Sequence, residues 1–163
     1  MEEKFLTKNA AETQKLGGKL AKTVLKMKVG KKAFVIALEG ELGGGKTTFL
    51  QGFAKGLRIK EKILSPTFVI LKKFQLPSCQ ITCLPAGRPI TKFKYFYHID
   101  CYRINKPKEI LDLGFKEIIS NPGNIVAIEW AERIKKILPK STAIIRFKFI
   151  DETKRKICIK GLD

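Results

Sequence analysis

A short glycine-rich segment constrains the fold of this chain more than any other. Residues 33–38, AFVIAL, are consecutive apolar residues and predict a buried strand. Residues 40–47, GELGGGKT, then match G-x-x-x-x-G-K-S/T, the P-loop motif. Apolar residues follow at helical spacing, at Phe49, Leu50, Phe53, Ala54 and Leu57. Strand, glycine loop and helix in this order are the context that the motif needs, so the segment predicts a nucleotide site.

The residue types of this segment suit a bulky and highly charged triphosphate. Glycines let backbone N–H groups converge on phosphate oxygens without Cβ clashes, and the next helix points its positive dipole end at them. Lys46 is expected to reach the β- and γ-phosphates, and the Thr47 hydroxyl is expected to bind Mg²⁺. The predicted nucleotide-binding residues of the loop are Glu41, Leu42, Gly43, Gly44, Gly45, Lys46, Thr47 and Thr48.

Two carboxylates at predicted strand ends are candidates for the same site. Asp100 ends the apolar strand of residues 94–100, where a Walker-B carboxylate would stand and could hold Mg²⁺ directly or through water. Glu129 follows the short buried strand of residues 125–128 and is a second candidate ligand. We expect Glu129 to lie closest to Mg²⁺, and Asp100 to support the metal or the attacking water. Trp130, the only tryptophan, is expected either in a core or partner contact or beside the nucleotide.

The remaining patterns predict how the chain surrounds this site. Asn9 and Glu12 resemble a helix start, and apolar residues on one helical face follow it. Ser65-Pro66 is typical of a turn into a strand, and residues 75–92 predict a long loop or irregular hairpin. Further predictions are a short strand at 5–7, a helix at 107–113, another turn at 115–119, and a closing hairpin of strands 143–150 and 156–159.

Composition limits the class of protein. The 163 residues suggest one domain over 1–163, and a 44% hydrophobic content is enough for a sizeable core. No apolar run approaches the length of a membrane span, and the N-terminus lacks the apolar core of a signal peptide, so a cytoplasmic location is expected. Cys79 and Cys83 are four apart, but no second Cys or His pair has zinc spacing. Free thiols are therefore the favoured interpretation.

The chain is strongly basic, with a formal net charge of +18. Such a charge favours anionic partners, RNA above all. Arginine is the side chain preferred in shaped nucleic-acid contacts, however, and only six of the 33 basic residues are arginine. A lysine-rich source proteome would give the same charge, so the charge alone does not establish RNA binding.

Four segments together resemble the bacterial TsaE family, also called YjeE. They are GELGGGKTT at 40–48, SPTF at 65–68, YHIDCYR at 97–103 and EWAER at 129–133. The P-loop motif alone is widespread, whereas the ordered set with these gaps is specific. The resemblance covers residues from about 5 to 150. The loop at 75–92 is longer than family members usually have, and residues 151–163 match weakly.

The resemblance implies a small P-loop ATPase of tRNA modification. Members work with TsaB and TsaD in making threonylcarbamoyladenosine in tRNAs that read ANN codons, and are thought to hydrolyse ATP to renew that complex between turnovers. The implied fold is α/β, a P-loop NTPase-like three-layer sandwich with a mostly parallel sheet and antiparallel additions. By analogy, Lys46 and Thr47 hold phosphate and Mg²⁺, Asp100 matches the Walker-B-like aspartate, and Glu129 and Trp130 match a Glu-Trp pair near the nucleotide. The implied partner is the TsaB–TsaD complex, with tRNA touching this chain or only those partners.

Two rival functions fit the motif alone. A P-loop small-molecule kinase would need a lid with several arginines to clamp two nucleotides, and six scattered arginines count against it. A nucleotide-gated RNA-binding protein without significant turnover is favoured only by the charge. ATPase activity measured with and without the partner complex would separate the three functions.

Overall fold

A single mixed sheet forms the centre of the computed structural model, which describes residues 2–64, 70–77 and 93–162. The described strands pair in the order β1-β7-β6-β2-β5-β4-β3. Their bounds are β1 Glu2–Thr7, β2 Phe34–Gly40, β3 Leu71–Gln75, β4 Tyr95–Asp100, β5 Asn124–Glu129, β6 Ala143–Phe149 and β7 Arg155–Lys160. The helices are α1 Ala10–Lys26, α2 Lys46–Gly56, α3 Pro107–Leu111 and α4 Phe115–Ser120, with a 3₁₀ segment at Ala131–Ile137.

Parallel pairing in the middle of the sheet brings several strand ends to one edge. β2 pairs in parallel with both β5 and β6, and β5 pairs in parallel with β4. The outer strands β1, β7 and β3 are antiparallel additions. In this register Leu38 lies beside Glu129, and Glu129 lies beside Asp100. The two predicted carboxylates therefore leave the sheet at the same edge.

Helices cover both faces of the sheet and bury its apolar side chains. On one face, Phe49 and Phe53 of α2 and Leu20 of α1 pack with strand residues such as Ile36 and Ile125. On the other face, α3, α4 and the 3₁₀ segment pack against the alternate strand residues through Ile110, Phe115 and Ile134. Alternate residues of each strand contribute to the two apolar layers, because successive side chains of a strand point to opposite faces of the sheet. The expected α/β three-layer sandwich, mostly parallel with antiparallel additions, is confirmed.

Most predicted elements are present, with small differences at their ends. Asn9 caps α1, because its Oδ1 accepts a hydrogen bond from the Glu12 amide at 2.8 Å. The predicted helix at 107–113 ends at Leu111, and Gly114 with φ +80° separates it from α4. The closing hairpin is confirmed as β6 and β7. The 3₁₀ segment was not expected from the sequence.

Some predictions concern residues that the structure does not describe. Residues 65–69 and 78–92 lie outside the described part, so the Ser65-Pro66 turn and most of the long 75–92 loop stay predictions. The prediction of a single domain over 1–163 also stays a prediction. Cys101 and Cys158 carry free thiols as expected, whereas Cys79 and Cys83 lie outside the described residues. In the described part of the chain, no helix has the length and apolar content to cross a membrane.

Close backbone contact fixes α1 against α2, the helix that begins at Lys46. A Cβ added to Gly17 of α1 would lie 2.2 Å from the carbonyl oxygen of Phe49. A Cβ added to Gly52 of α2 would lie 1.9 Å from the carbonyl oxygen of Gln14. Real Cβ atoms do not approach backbone so closely, so both glycines are required where the helices cross.

We expect Gly17→Ala to lower the free energy of unfolding by about 2–3 kcal/mol, because the new methyl group forces the two helices apart. Gly18→Ala is the matched control, since its Cβ would meet the Gly52 oxygen at 3.3 Å and alanine favours a helix. Urea unfolding followed by circular dichroism measures both variants. Equal stability of the two variants would contradict the close contact.

Candidate functional site

A cavity of about 410 Å³ opens at the carboxyl edge of the parallel strands, where the carboxyl ends of β2 and β5 meet the amino end of α2. Four parts of the chain form its walls: the start of α1, the segment 42–48, the pair Glu129 and Trp130, and the β6–β7 hairpin at 152–155. Its lining residues are Asn9, Ala10, Thr13, Leu42, Gly43, Gly44, Gly45, Lys46, Thr47, Thr48, Glu129, Trp130, Glu152, Thr153 and Arg155. In open α/β sheets, ligands bind in this position.

The glycine loop, residues 40–47, has a backbone that only glycine adopts readily. Gly40 has φ +130°, and a Cβ there would lie 2.3 Å from the carbonyl oxygen of Phe147 on β6. Gly45 has φ +96° and precedes α2; it has no side chain that could cap the first N–H groups of this helix. The first N–H groups of a helix have no partner within the helix and attract anions. The first turn of α2 therefore presents N–H donors at the cavity.

Lys46 is buried at the floor of the loop and is held by backbone oxygens. Its Nζ donates to the carbonyl oxygens of Gly40 at 2.6 Å and Glu41 at 2.8 Å, and lies 3.8 Å from the centre of the Trp130 ring. Burial lowers the pKa of the Lys46 ammonium, while the negative charges of Glu129, Glu132, Asp100 and Glu41 act in the opposite direction. A positive charge buried at the floor of the cavity attracts an entering anion.

Glu129 connects three elements of the site. Its Oε2 accepts a hydrogen bond from the Thr47 hydroxyl at 2.9 Å, and its Oε1 lies 3.2 Å from the same hydroxyl. Nε2 of His98 on β4 lies 2.9 Å from Oε1. Only 2% of Glu129 and 1% of His98 are exposed, so these contacts replace the water that a carboxylate otherwise needs. His98 was not among the predicted site residues, although it stands two residues before Asp100 and therefore shares its face of the sheet.

Asp100 lies directly opposite Glu129 in the register of β4 and β5. Its Oδ1 accepts a hydrogen bond from the Tyr102 amide at 2.8 Å, and the residue is 7% exposed. The negative charge of Asp100 reaches the Lys46 ammonium. Two carboxylates and one ammonium therefore share a buried corner of the protein.

Trp130 turns the chain sharply after β5. Its φ of +57° and ψ of +40° place it in the left-handed region, which is strained for a bulky side chain and persists where surrounding contacts hold it. Its ring centre lies 5.0 Å from that of Tyr102, and the Arg133 guanidinium lies 5.8 Å from the Tyr102 ring. Since Tyr102 is 47% exposed, these contacts join Lys46 to the outer surface.

The β6–β7 hairpin forms the wall opposite Trp130. Nε of Arg155 donates to the carbonyl oxygen of Gly43 at 3.0 Å, and its guanidinium lies 4.7 Å from the centre of the Phe149 ring. Arg155, like Asn9 and Thr13 of α1, was not predicted to belong to the site. Thr13 and Arg155 belong to no local motif, and Asn9 was recognised only as the start of a helix. Their position at the cavity depends on pairings distant in sequence.

Comparisons with known proteins agree with this geometry. The family model described as threonylcarbamoyl adenosine biosynthesis protein TsaE matches residues 7–157. The chain belongs to the TsaE family. TsaE from Rickettsia typhi is 36% identical over 127 residues, covering 77% of this chain and 76% of that protein. TsaE from Bacillus subtilis is 37% identical over 123 residues, covering 76% and 66% respectively. The crystal structure of YdiB from Bacillus subtilis superimposes with a TM-score of 0.69 at 29% identity, covering 100% of this chain and 87% of that one.

For this TsaE family member, the structure brings most of the predicted site residues together. Gly43 to Thr48, Glu129 and Trp130 line the cavity, and Lys46 touches both the loop and Trp130. Leu42 also borders the cavity but is 76% exposed, and Glu41 contacts Lys46 through its backbone oxygen. Asp100 lies beside Glu129. The roles given to these residues stay predictions, and the SPTF segment at 65–68 lies outside the described residues.

The Thr47–Glu129 pair fits a magnesium ion in this family member. Among the described residues, no group of three or more His, Cys, Asp and Glu side chains could hold a metal. Mg²⁺ bound with a nucleotide needs fewer protein ligands, because phosphate oxygens and waters occupy most of its six coordination positions. Neighbouring ligand oxygens of an octahedral Mg²⁺ lie about 3.0 Å apart when each is about 2.1 Å from the ion. The separation of 2.9 Å between Thr47 Oγ1 and Glu129 Oε2 matches that spacing.

Trp130 is the only tryptophan, so its fluorescence reports on Lys46. Lys46→Met removes the ammonium 3.8 Å from the indole ring, and we expect a clear change in emission intensity and wavelength because that charge acts on the excited state. Lys55→Met, at an exposed position of the same helix, is the control and should leave the spectrum unchanged. Identical spectra of the wild type and Lys46→Met would contradict the contact.

Proposed function

We propose that this chain binds ATP with Mg²⁺ in the cavity at the glycine loop and hydrolyses it in the service of tRNA threonylcarbamoyladenosine biosynthesis. The observation that supports the proposal most is the arrangement of Lys46, Thr47 and Glu129. A buried ammonium, free N–H groups at a helix start and a hydroxyl–carboxylate pair with magnesium spacing stand around one cavity. Family membership supports the place in tRNA modification.

The chain's own groups suit phosphoryl chemistry. Lys46 would exchange the Gly40 and Glu41 carbonyl oxygens for phosphate oxygens, and the amino end of α2 would contribute its N–H groups. Thr47 and Glu129 would hold Mg²⁺, which neutralises charge that develops on the phosphates. Asp100, beside Glu129 but in contact with the Tyr102 amide, would orient the attacking water. The walls from α1 and the β6–β7 turn would enclose the nucleoside.

The proposed ATP hydrolysis would act on a partner complex. We propose that the partner is TsaB–TsaD, with weak ATPase activity of this chain alone and a large change in its presence. Glu129 continues directly into Trp130, whose contact with the exposed Tyr102 reaches the surface. Loss of the γ-phosphate would therefore change a surface as well as the site. tRNA would meet this chain directly or only through the partners.

We expect Lys46→Ala to lower ATP turnover about 100-fold or more, because Lys46 is the only lysine among the described residues that line the cavity. The measurement is phosphate release with and without added TsaB–TsaD. Lys55→Ala, on an exposed turn of the same helix, is the control and should match the wild type. A folded Lys46→Ala protein with comparable turnover would remove the ATPase proposal, and RNA binding without any turnover would favour the nucleotide-gated RNA-binding alternative.

Glu129→Gln and Asp100→Asn separate the roles of the two carboxylates. We expect Glu129→Gln to raise the Mg²⁺ concentration needed for half-maximal turnover about 10- to 100-fold, because it weakens one of the two ligands. Asp100→Asn should reduce maximal turnover with a smaller change in Mg²⁺ dependence. Magnesium titrations of phosphate release measure both. An unchanged Mg²⁺ dependence in Glu129→Gln would reverse the assignment of the metal ligand.

A further inference from the structure

His98 is a buried polar residue that the roles proposed above do not use. It lies on β4 two positions before Asp100, and only 1% of it is exposed. We propose that His98 is a positioning residue: it holds the Glu129 carboxylate in place for Mg²⁺, and so sets how strongly Mg²⁺ improves nucleotide binding. This inference rests on the proposed function, because it concerns the affinity of the same site for its metal.

The direction of the hydrogen bond follows from the chemistry of the two groups. An ionised carboxylate has only acceptors, so the His98 Nε2 must carry the hydrogen that it shares with Glu129 Oε1 at 2.9 Å. The Thr47 hydroxyl donates to the other oxygen, Oε2, at 2.9 Å. Each carboxylate oxygen therefore has its own donor, one from β4 and one from α2. The pair of donors fixes both the position and the rotation of the carboxylate.

Thr47 and His98, the two donors to Glu129, would be affected differently by a bound metal. Thr47 is itself an expected Mg²⁺ ligand, so its hydroxyl oxygen would also serve the ion. His98 is not an expected metal ligand, so its contact of 2.9 Å with Oε1 would stay the same, and the residue is only 1% exposed. His98 is therefore the contact that keeps Glu129 oriented in both states of the site. Partners of this kind behind a ligand change metal affinity about 10- to 100-fold when they are removed.

The sheet explains why a histidine reaches Glu129 at all. On β5, the residue opposite His98 is Ala127, and Glu129 stands two positions further along the same face. The small side chain of Ala127 leaves room for the imidazole ring to extend past it toward the carboxylate. Because β4 and β5 are paired interior strands, His98 holds Glu129 from a rigid base rather than from a loop.

The test compares His98→Phe, which keeps an aromatic ring but has no donor, with His98→Gln, whose side-chain amide can donate to Oε1. Calorimetric titration with the non-hydrolysable analogue AMP-PNP, with Mg²⁺ and with a chelator, gives the ratio of the two dissociation constants. In His98→Phe we expect the improvement by Mg²⁺ to fall at least about 10-fold, with little change in the affinity measured in chelator. His98→Gln should recover most of the improvement.

This readout separates positioning from a structural role, since a damaged fold would weaken binding with and without Mg²⁺ together. Thermal unfolding of both variants checks folding independently. If His98→Phe does not fold, His98→Ala and the double variant Glu129→Gln/His98→Ala provide the test: we expect His98→Ala alone to lower the Mg²⁺ effect and to add no further loss when Glu129 is already glutamine. A folded His98→Phe with the wild-type Mg²⁺ effect, or a further loss in the double variant, would overturn the inference. Absence of any Mg²⁺-dependent nucleotide binding by the wild type would instead overturn the proposed function, and this inference with it.

Discussion

The parallel pairing of β2, β5 and β4 is the constraint on which the rest of the structure depends. Parallel strands end at the same edge, and this register places Leu38, Glu129 and Asp100 side by side where β2 gives way to the glycine loop. One buried corner therefore contains an ammonium from the start of α2 and two carboxylates from neighbouring strands. Charges removed from water in this way are stable only when they compensate one another, so the sheet register, the loop and the first turn of α2 are mutually dependent.

The crossing of α1 over α2 is the second requirement. Gly17 and Gly52 allow backbone contact between the helices, which fixes the axis of α2 and hence the direction of the N–H groups at its start. The same contact carries the amino end of α1, with Asn9 and Thr13, to the cavity wall. Packing far from Lys46 thus determines the shape of the site.

The sequence was sufficient for features that local patterns encode. The glycine loop has a spacing that few other segments share, and Asp100 and Glu129 could be expected to meet because each ends an apolar strand. His98 and Arg155 were missed for a common physical reason: their significance depends on which strands become neighbours. Arg155 contacts Gly43 across 112 positions of sequence, and His98 matters only because β5 lies beside β4 with Ala127 opposite. The 3₁₀ segment was missed because the residue before it, Trp130, has a left-handed conformation. Glycine or asparagine usually indicates that conformation in a sequence, and neither is present at this position.

The hydrogen bonds that already hold Lys46 bear on which anions the cavity would favour. Two of the three N–H groups of the Lys46 ammonium donate to the Gly40 and Glu41 oxygens, at 2.6 and 2.8 Å from Nζ, so the proposed nucleotide would have to replace these acceptors to engage the whole ammonium. Chloride or a single carboxylate oxygen would replace only one of these acceptors, whereas neighbouring phosphate groups would replace both at once. Discrimination between polyphosphates and the abundant simple anions of a cell would then come from the number of acceptors that arrive together, not from charge alone.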